Sequence, residues 1–141
     1  MHVMASASRK YSQDADISAK PTASSSAARE GGGVRGERAV EVCECMMDIV
    51  SALFNVSGKE LRRSGRTGLD VSRVRQIAMY VTHVVLGVSM ADVGRGFGRD
   101  RTTVVHACHL IEDMRDDEDF DRVVVMTERV AMAAFRDRLG L

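Results

Sequence analysis

The sequence predicts an all-α domain of five or six helices that contains a helix-turn-helix. Three observations carry this expectation. After residue 37, apolar residues recur three and four apart through most of the chain, which is the period of one buried helix face. Gly87 and Gly98 stand where helices would end in a residue that tolerates positive φ. Ser89 and Asp100 stand where helices would begin, with oxygens suited to the free amides of a first turn.

At 141 residues, 45% of them hydrophobic, the chain has material for one ordinary domain with its own core. Residues 1 to 37 are the exception. They are rich in Ser, Ala and Gly, run through Ala27-Ala28-Arg29-Glu30-Gly31-Gly32-Gly33, and carry too few large apolar groups to offset the entropy of ordering. A disordered arm is expected there. Its start lacks the apolar core of a signal peptide, and Asp14 and Asp16 argue against a transit peptide despite Arg9, Lys10 and Lys20.

From Glu37 the spacing of Val40, Cys43, Met47, Val50 and Phe54 predicts a helix, interrupted by Asn55 and Gly58. A short second helix is expected over 57–63, followed by the basic loop Ser64-Gly65-Arg66-Thr67-Gly68. Val74, Ile77, Ala78, Val81, Val84 and Val85 then form a broad apolar stripe over 71–86. Ser89 with Asp92 three residues on resembles a capping box and opens a short helix to Phe97. Gly98 makes the turn, and Asp100 is expected to cap a helix whose inward stripe is Val104, Cys108 and Ile111. A last helix is expected from Phe120 to Leu139, although Val123-Val124-Val125 prefers a strand in isolation. The organisation is then an arm over 1–37, a domain over 38–115, and an acidic loop with a C-terminal helix over 116–141.

Net charge is zero, with 20 basic and 20 acidic residues, yet the charges are unevenly placed. Between Lys59 and Arg101 nine basic residues (Lys59, Arg62, Arg63, Arg66, Arg73, Arg75, Arg95, Arg99, Arg101) face four acidic ones (Glu60, Asp70, Asp92, Asp100). From 112 to 121 seven acidic side chains surround Arg115 alone. Such a dipolar chain can present a basic face to phosphates while its total hides the fact.

A short helix, a glycine turn and a helix opened by Asp100-Arg101-Thr102-Thr103 is the arrangement that seats a recognition helix in the major groove. The residue types suit that work. Arg bonds bidentately to guanine, Thr reaches base edges or a thymine methyl, and a helix N-terminus favours phosphate. Arg73, Arg75 and Arg95 on the preceding segments are expected to grip the DNA backbone.

These residues resemble a known family. Arg75-Gln76-Ile77-Ala78-Met79-Tyr80, Ser89 with Val93-Gly94 and Phe97-Gly98, and Arg99-Asp100-Arg101-Thr102-Thr103-Val104-Val105-His106-Ala107-Cys108 are similar to the C-terminal DNA-binding domain of the bacterial chromosomal replication initiator DnaA. The likeness runs from about Val40 to Ile111. It implies a Trp-repressor-like helical fold. It also implies base reading by Asp100, Arg101 and Thr102, and backbone contacts from Thr103, His106, Arg75 and Gln76, beside which Arg73 and Arg99 are expected. A minor-groove arginine is implied as well, with Arg66 and Arg63 as the candidates.

The chain departs from the family pattern in two places. Arg101 stands where the family has His, and one glycine of the usual pair before Arg99 is missing. An Arg at a base-reading position favours guanine, so a different target sequence is expected. Nothing in the sequence matches the Gly-x-x-x-x-Gly-Lys-Ser/Thr phosphate loop of an ATPase domain, so site occupancy rather than ATP-driven assembly is the expected role, in replication initiation or transcription.

His106, Cys108 and His109, with Cys43 and Cys45, are zinc-ligand types. Cys108 falls on the inward stripe, however, where a free Cys acts as a small apolar residue, and neither metal, cofactor nor enzymatic activity is expected. Three cysteines without a secretory signal point to a reducing, cytoplasmic and nucleoid-associated setting. The expected partner is double-stranded DNA and not a membrane. The C-terminal helix either packs on its own domain or pairs with a second copy or a replication protein. The rival reading is a helical protein-interaction module that has lost DNA readout.

Overall fold

The computed structural model describes residues 34–63 and 69–137, and among them the chain forms six helices and no strand. They are α1 (Val34–Phe54), α2 (Gly58–Arg62), α3 (Leu69–Val84), α4 (Met90–Phe97), α5 (Arg101–Met114) and α6 (Glu118–Ala134). Most of the expected arm and the whole loop 64–68 lie outside the described residues. The first helix begins at Val34, earlier than the expected start at Glu37.

The helical period that suggests α1 also builds its packing. Ala39, Val42, Cys43, Met46, Met47 and Val50 are buried along one face, and Val40 lies half-buried at the edge. Asn55 ends the helix at a φ of 52°, a conformation Asn tolerates better than branched residues do. The central element is α3, against which α1, α2, α5 and α6 all pack. Its residues 73–82 are buried apart from the half-buried Gln76. Val84 departs from the expected stripe and is 52% exposed, while Val85 and Leu86 after it stay half-buried against the core.

The helix-turn-helix forms as its punctuation predicts. Ser89 accepts a hydrogen bond from the Asp92 amide at 3.2 Å and caps α4. Gly98 adopts a φ of 64° and Arg99 N–H closes the turn on the Gly94 carbonyl at 2.8 Å. On α5, the expected Val104, Cys108 and Ile111 are buried, joined by Ala107, Leu110 and Met114. Asp100 occupies the cap position of α5 but its side chain accepts no capping hydrogen bond, contrary to expectation.

The last helix starts earlier and stops sooner than Phe120 to Leu139. Asp117 accepts from the Phe120 amide at 2.9 Å, so Glu118 and Asp119 belong to the helix rather than to an acidic loop. Val123-Val124-Val125 is helical because Phe120, Val124, Thr127 and Ala131 are buried on one stripe, and that burial outweighs local β preference. This stripe packs on α1 and α3, so the inward face of α6 belongs to the same core as the helix-turn-helix. Arg115 secures it, donating to Asp121 at 2.6 Å and to the Tyr80 hydroxyl at 3.1 Å and pairing with Glu128 at 2.9 Å. The Tyr80 hydroxyl in turn donates to Glu112.

Candidate nucleic-acid interface

The buried stripe of α5 dictates what its other side presents. With Val104, Ala107, Cys108 and Ile111 inward, the first turn exposes Arg101, Thr102 and Thr103, preceded by exposed Asp100 and followed one turn later by exposed His106. Among the described residues, the side chains of Asp100, Arg101, Thr102 and Thr103 make no intramolecular hydrogen bond or ion pair. The helix is held rigidly from behind, and its leading polar groups are unspent. That combination is what direct reading of base edges requires.

The close approach of α4 to α5 depends on Gly94. A Cβ there would come within 2.7 Å of the Arg99 carbonyl, so only a bare backbone lets the turn close. Behind α4, a Cβ on Gly96 would come within 2.6 Å of Cys43 Cβ on α1. The two glycines together let the short helix sit tightly between α1 and α5.

The expected phosphate contacts separate into two groups. Thr103 and His106 are exposed, and Gln76 is half-buried, accepting from Arg73 at 2.7 Å. Arg73 and Arg75, expected to grip the backbone, are turned inward at 4% and 6% exposure. Arg75 donates to the Leu61 carbonyl at 2.9 Å and the Glu60 carbonyl at 3.1 Å. For Arg75 the physical reason is α2, which has five residues and whose final carbonyls lack helical donors. Burial lowers the pKa of both arginines, and for Arg75 the neighbouring Arg99 cation lowers it further.

Arg99 is half-buried and donates across the domain to the Arg63 carbonyl at 2.8 Å. The Arg63 side chain is 67% exposed, 3.7 Å from Glu60. Arg66 lies outside the described residues. The site thus brings together the segment before the basic loop and the start of α5. Arg95, on the exposed side of α4, is 3.5 Å from Asp92.

Sequence reasoning missed the bonds from Arg75 and Arg99 to the α2 carbonyls, since backbone acceptors leave no mark on composition. It also missed Arg62, which bridges Glu44 at 2.8 Å and Asp48 at 3.1 Å and so ties α2 to α1. The three-and-four spacing of Glu37, Glu41, Glu44 and Asp48 along the exposed side of α1 was the available signal for it.

Comparison with known proteins agrees with this geometry. Residues 43–111 match the family described as the bacterial dnaA protein helix-turn-helix. The chain is 36% identical over 87 residues to the chromosomal replication initiator protein DnaA 1 of Protochlamydia amoebophila, which is 61% of this chain and 19% of that protein. It is 42% identical over 77 residues to DnaA of Mesorhizobium japonicum, covering 54% of this chain and 16% of the relative. With DnaA of Agrobacterium fabrum the identity is 44% over 72 residues, covering 50% of this chain and 15% of the relative. The chain therefore spans less than a fifth of the length of these curated relatives. Its fold is similar to the crystal structure of a DNA replication initiation factor, with a TM-score of 0.63 at 27% identity, covering 71% of this chain and 31% of that one. What this chain shares with these relatives is thus the segment 43–111, which matches the bacterial DnaA helix-turn-helix family.

Proposed function

We propose that this chain is a non-catalytic protein that binds double-stranded DNA sequence-specifically and, by occupying its sites on the nucleoid, regulates replication initiation or transcription. The observation that carries the proposal is the unspent polar edge of α5: Asp100, Arg101 and Thr102 are exposed, without partners among the described residues, on a helix whose opposite face is locked in the core. In this reading those three residues choose bases. Gln76, Thr103 and His106 contact phosphates beside the half-buried Arg99, while Arg73, which holds Gln76, and Arg75, which holds the end of α2, act from beneath. Arg63 and Arg66 are the candidates for the minor groove. The match of residues 43–111 to a helix-turn-helix family supports DNA as the ligand.

Arg101 sets the expected target apart from the family's. A guanidinium at this position can take guanine O6 and N7 together, whereas an imidazole cannot form that fork, and a good bidentate pair discriminates by about 1–3 kcal/mol. The preferred site therefore carries a guanine opposite Arg101.

The test is selection of bound sequences from a random duplex pool at moderate salt, with wild type and Arg101→Ala in parallel. A defined motif that loses definition at one or two positions in the variant supports direct readout by α5. Equally poor retention of both proteins, without a motif, would sink the proposal.

A further inference from the structure

Two side chains from distant parts of the chain meet at the C-terminal end of α2. Its carbonyls at Glu60 and Leu61 accept from Arg75 of α3, and the Arg63 carbonyl just beyond accepts from Arg99 in the turn before α5. A five-residue helix is far too short to hold itself. Buried Leu61 and the bridge from Arg62 to α1 fix its other sides. The two guanidinium groups supply donors where the helix has run out of them, at the end where a cation also suits its dipole.

Arg99 is the more consequential of the two. Its amide is tied to Gly94 of α4 at 2.8 Å, its own chain continues into Asp100 and the reading turn, and its guanidinium holds the Arg63 backbone. One residue thus links the end of α4, the start of α5 and the point where the chain leaves α2. Arg63 and Arg99 lie 36 residues apart in sequence, so their spacing in the folded domain is set by tertiary contacts, of which this bond is the direct one, rather than by chain connectivity.

We propose that Arg99 is a positioning residue that sets the distance between the base-reading turn of α5 and the Arg63 side chain, so that the two engage DNA as one rigid unit. The inference rests on the DNA-binding reading of α5 for its consequence, and on the geometry of the free protein for its cause. The side chain it positions, Arg63, is exposed and cationic. A cation held at fixed distance from a recognition helix gains affinity by not having to be ordered on binding.

Two measurements on the full chain test this separately. In the absence of DNA, amide hydrogen exchange of Leu61 and Arg62 should quicken by roughly tenfold in Arg99→Met, while the amides of α5 from Val104 onward keep their wild-type rates. Unchanged exchange at α2 would overturn the positioning role whatever the protein binds. With DNA, affinities for the duplex selected by the wild type form a double-mutant cycle. Arg63→Ala should weaken binding by about tenfold in the wild-type background and less than about twofold in Arg99→Met, because a side chain that is no longer aimed has little left to lose. Penalties that simply multiply would show two independent phosphate contacts and overturn the proposal. Failure of the wild type to select any sequence would reject the DNA-binding reading and leave the exchange measurement to decide the role of Arg99. If Arg99→Met does not fold, Arg99→Lys, which keeps the charge but loses the planar fork, serves in both experiments, with at least a halving of the Arg63→Ala penalty expected.

Discussion

Asp117 and Asp100 occupy the same position relative to their helices, and only Asp117 closes its cap. Both have extended backbone, with φ and ψ of −79° and 120° at Asp117 and −66° and 150° at Asp100. The Asp117 carboxylate accepts the Phe120 amide at 2.9 Å, and the Asp100 carboxylate accepts none. Asp100 has a capping conformation without the capping bond, and its oxygens remain available to an amino group on a base edge.

The contrast separates stability from binding. Asp117→Ala should destabilise the fold by about 1 kcal/mol, as loss of a made cap does, without altering the selected DNA motif. Asp100→Ala should change stability by less than about 0.5 kcal/mol, as exposed positions do, while blurring the motif. Thermal unfolding and sequence selection on the two variants check this pair. Equal loss of stability in both would show that Asp100 caps α5 in solution.

Arg101→Ala should weaken binding to the selected duplex by about 1–3 kcal/mol, with the loss concentrated on the guanine it reads. The fold should be unaffected, since the side chain is exposed and makes no bond among the described residues. Titration of duplexes substituted at that base pair, measured for both proteins, checks it. A loss of equal size on every duplex would place Arg101 on phosphate instead.

The helix-turn-helix was legible in the sequence because its signals are local. Ser89, Gly98 and the apolar period of Val104, Cys108 and Ile111 each act within a few residues, and each is used as expected. The fate of Arg75 was not legible, since an arginine reads as a surface cation unless the carbonyls it will meet are known. Those acceptors, on Glu60 and Leu61, come from another helix. The Val123-Val124-Val125 stretch illustrates the same limit from the other side: local preference pointed to a strand, while the stripe from Phe120 to Ala131 decided for a helix.

Gly96→Ala should destabilise the domain by about 1–3 kcal/mol, the usual range for overpacking. Its new Cβ would meet Cys43 on α1, and the crowding falls on a packed helix crossing rather than on the tip of a flexible side chain. Cys43→Ala removes the obstructing sulfur and should recover part of the loss, so the two effects are not additive. Denaturant unfolding of the single and double variants measures the coupling.

Arg115→Met should loosen α6 before it affects DNA reading. Arg115 is 23% exposed and serves Tyr80, Asp121 and Glu128 at once. Burial opposes its charge, but its hydrogen bonds to Asp121, Tyr80 and Glu128 outweigh that and raise its pKa. Removal leaves Glu128, itself 18% exposed, without its cation, at a cost of about 1–3 kcal/mol. Faster hydrogen exchange along α6 with an unchanged DNA motif is the expected pattern. A changed motif would mean that α6 supports the reading helix.

The cysteines give a test of the core that depends on pH. Burial, then Asp92 and Glu44, push the Cys43 thiol from 9.0 up to about 12, while Cys45 on the same helix is exposed. At pH 8 a thiol reagent should label Cys45 in the native protein and reach Cys43 only on unfolding, since the thiolate is the reacting species. The sign for stability follows from linkage. A thiol whose pKa is higher in the folded state favours folding relative to its ionised form, so its contribution is intact below pH 9 and declines as pH rises toward 12. Cys43→Ala should remove that part of the alkaline decline. An identical alkaline slope in wild type and variant would assign the loss to other groups, and native labelling of Cys43 at pH 8 would show that the α1 and α4 crossing opens.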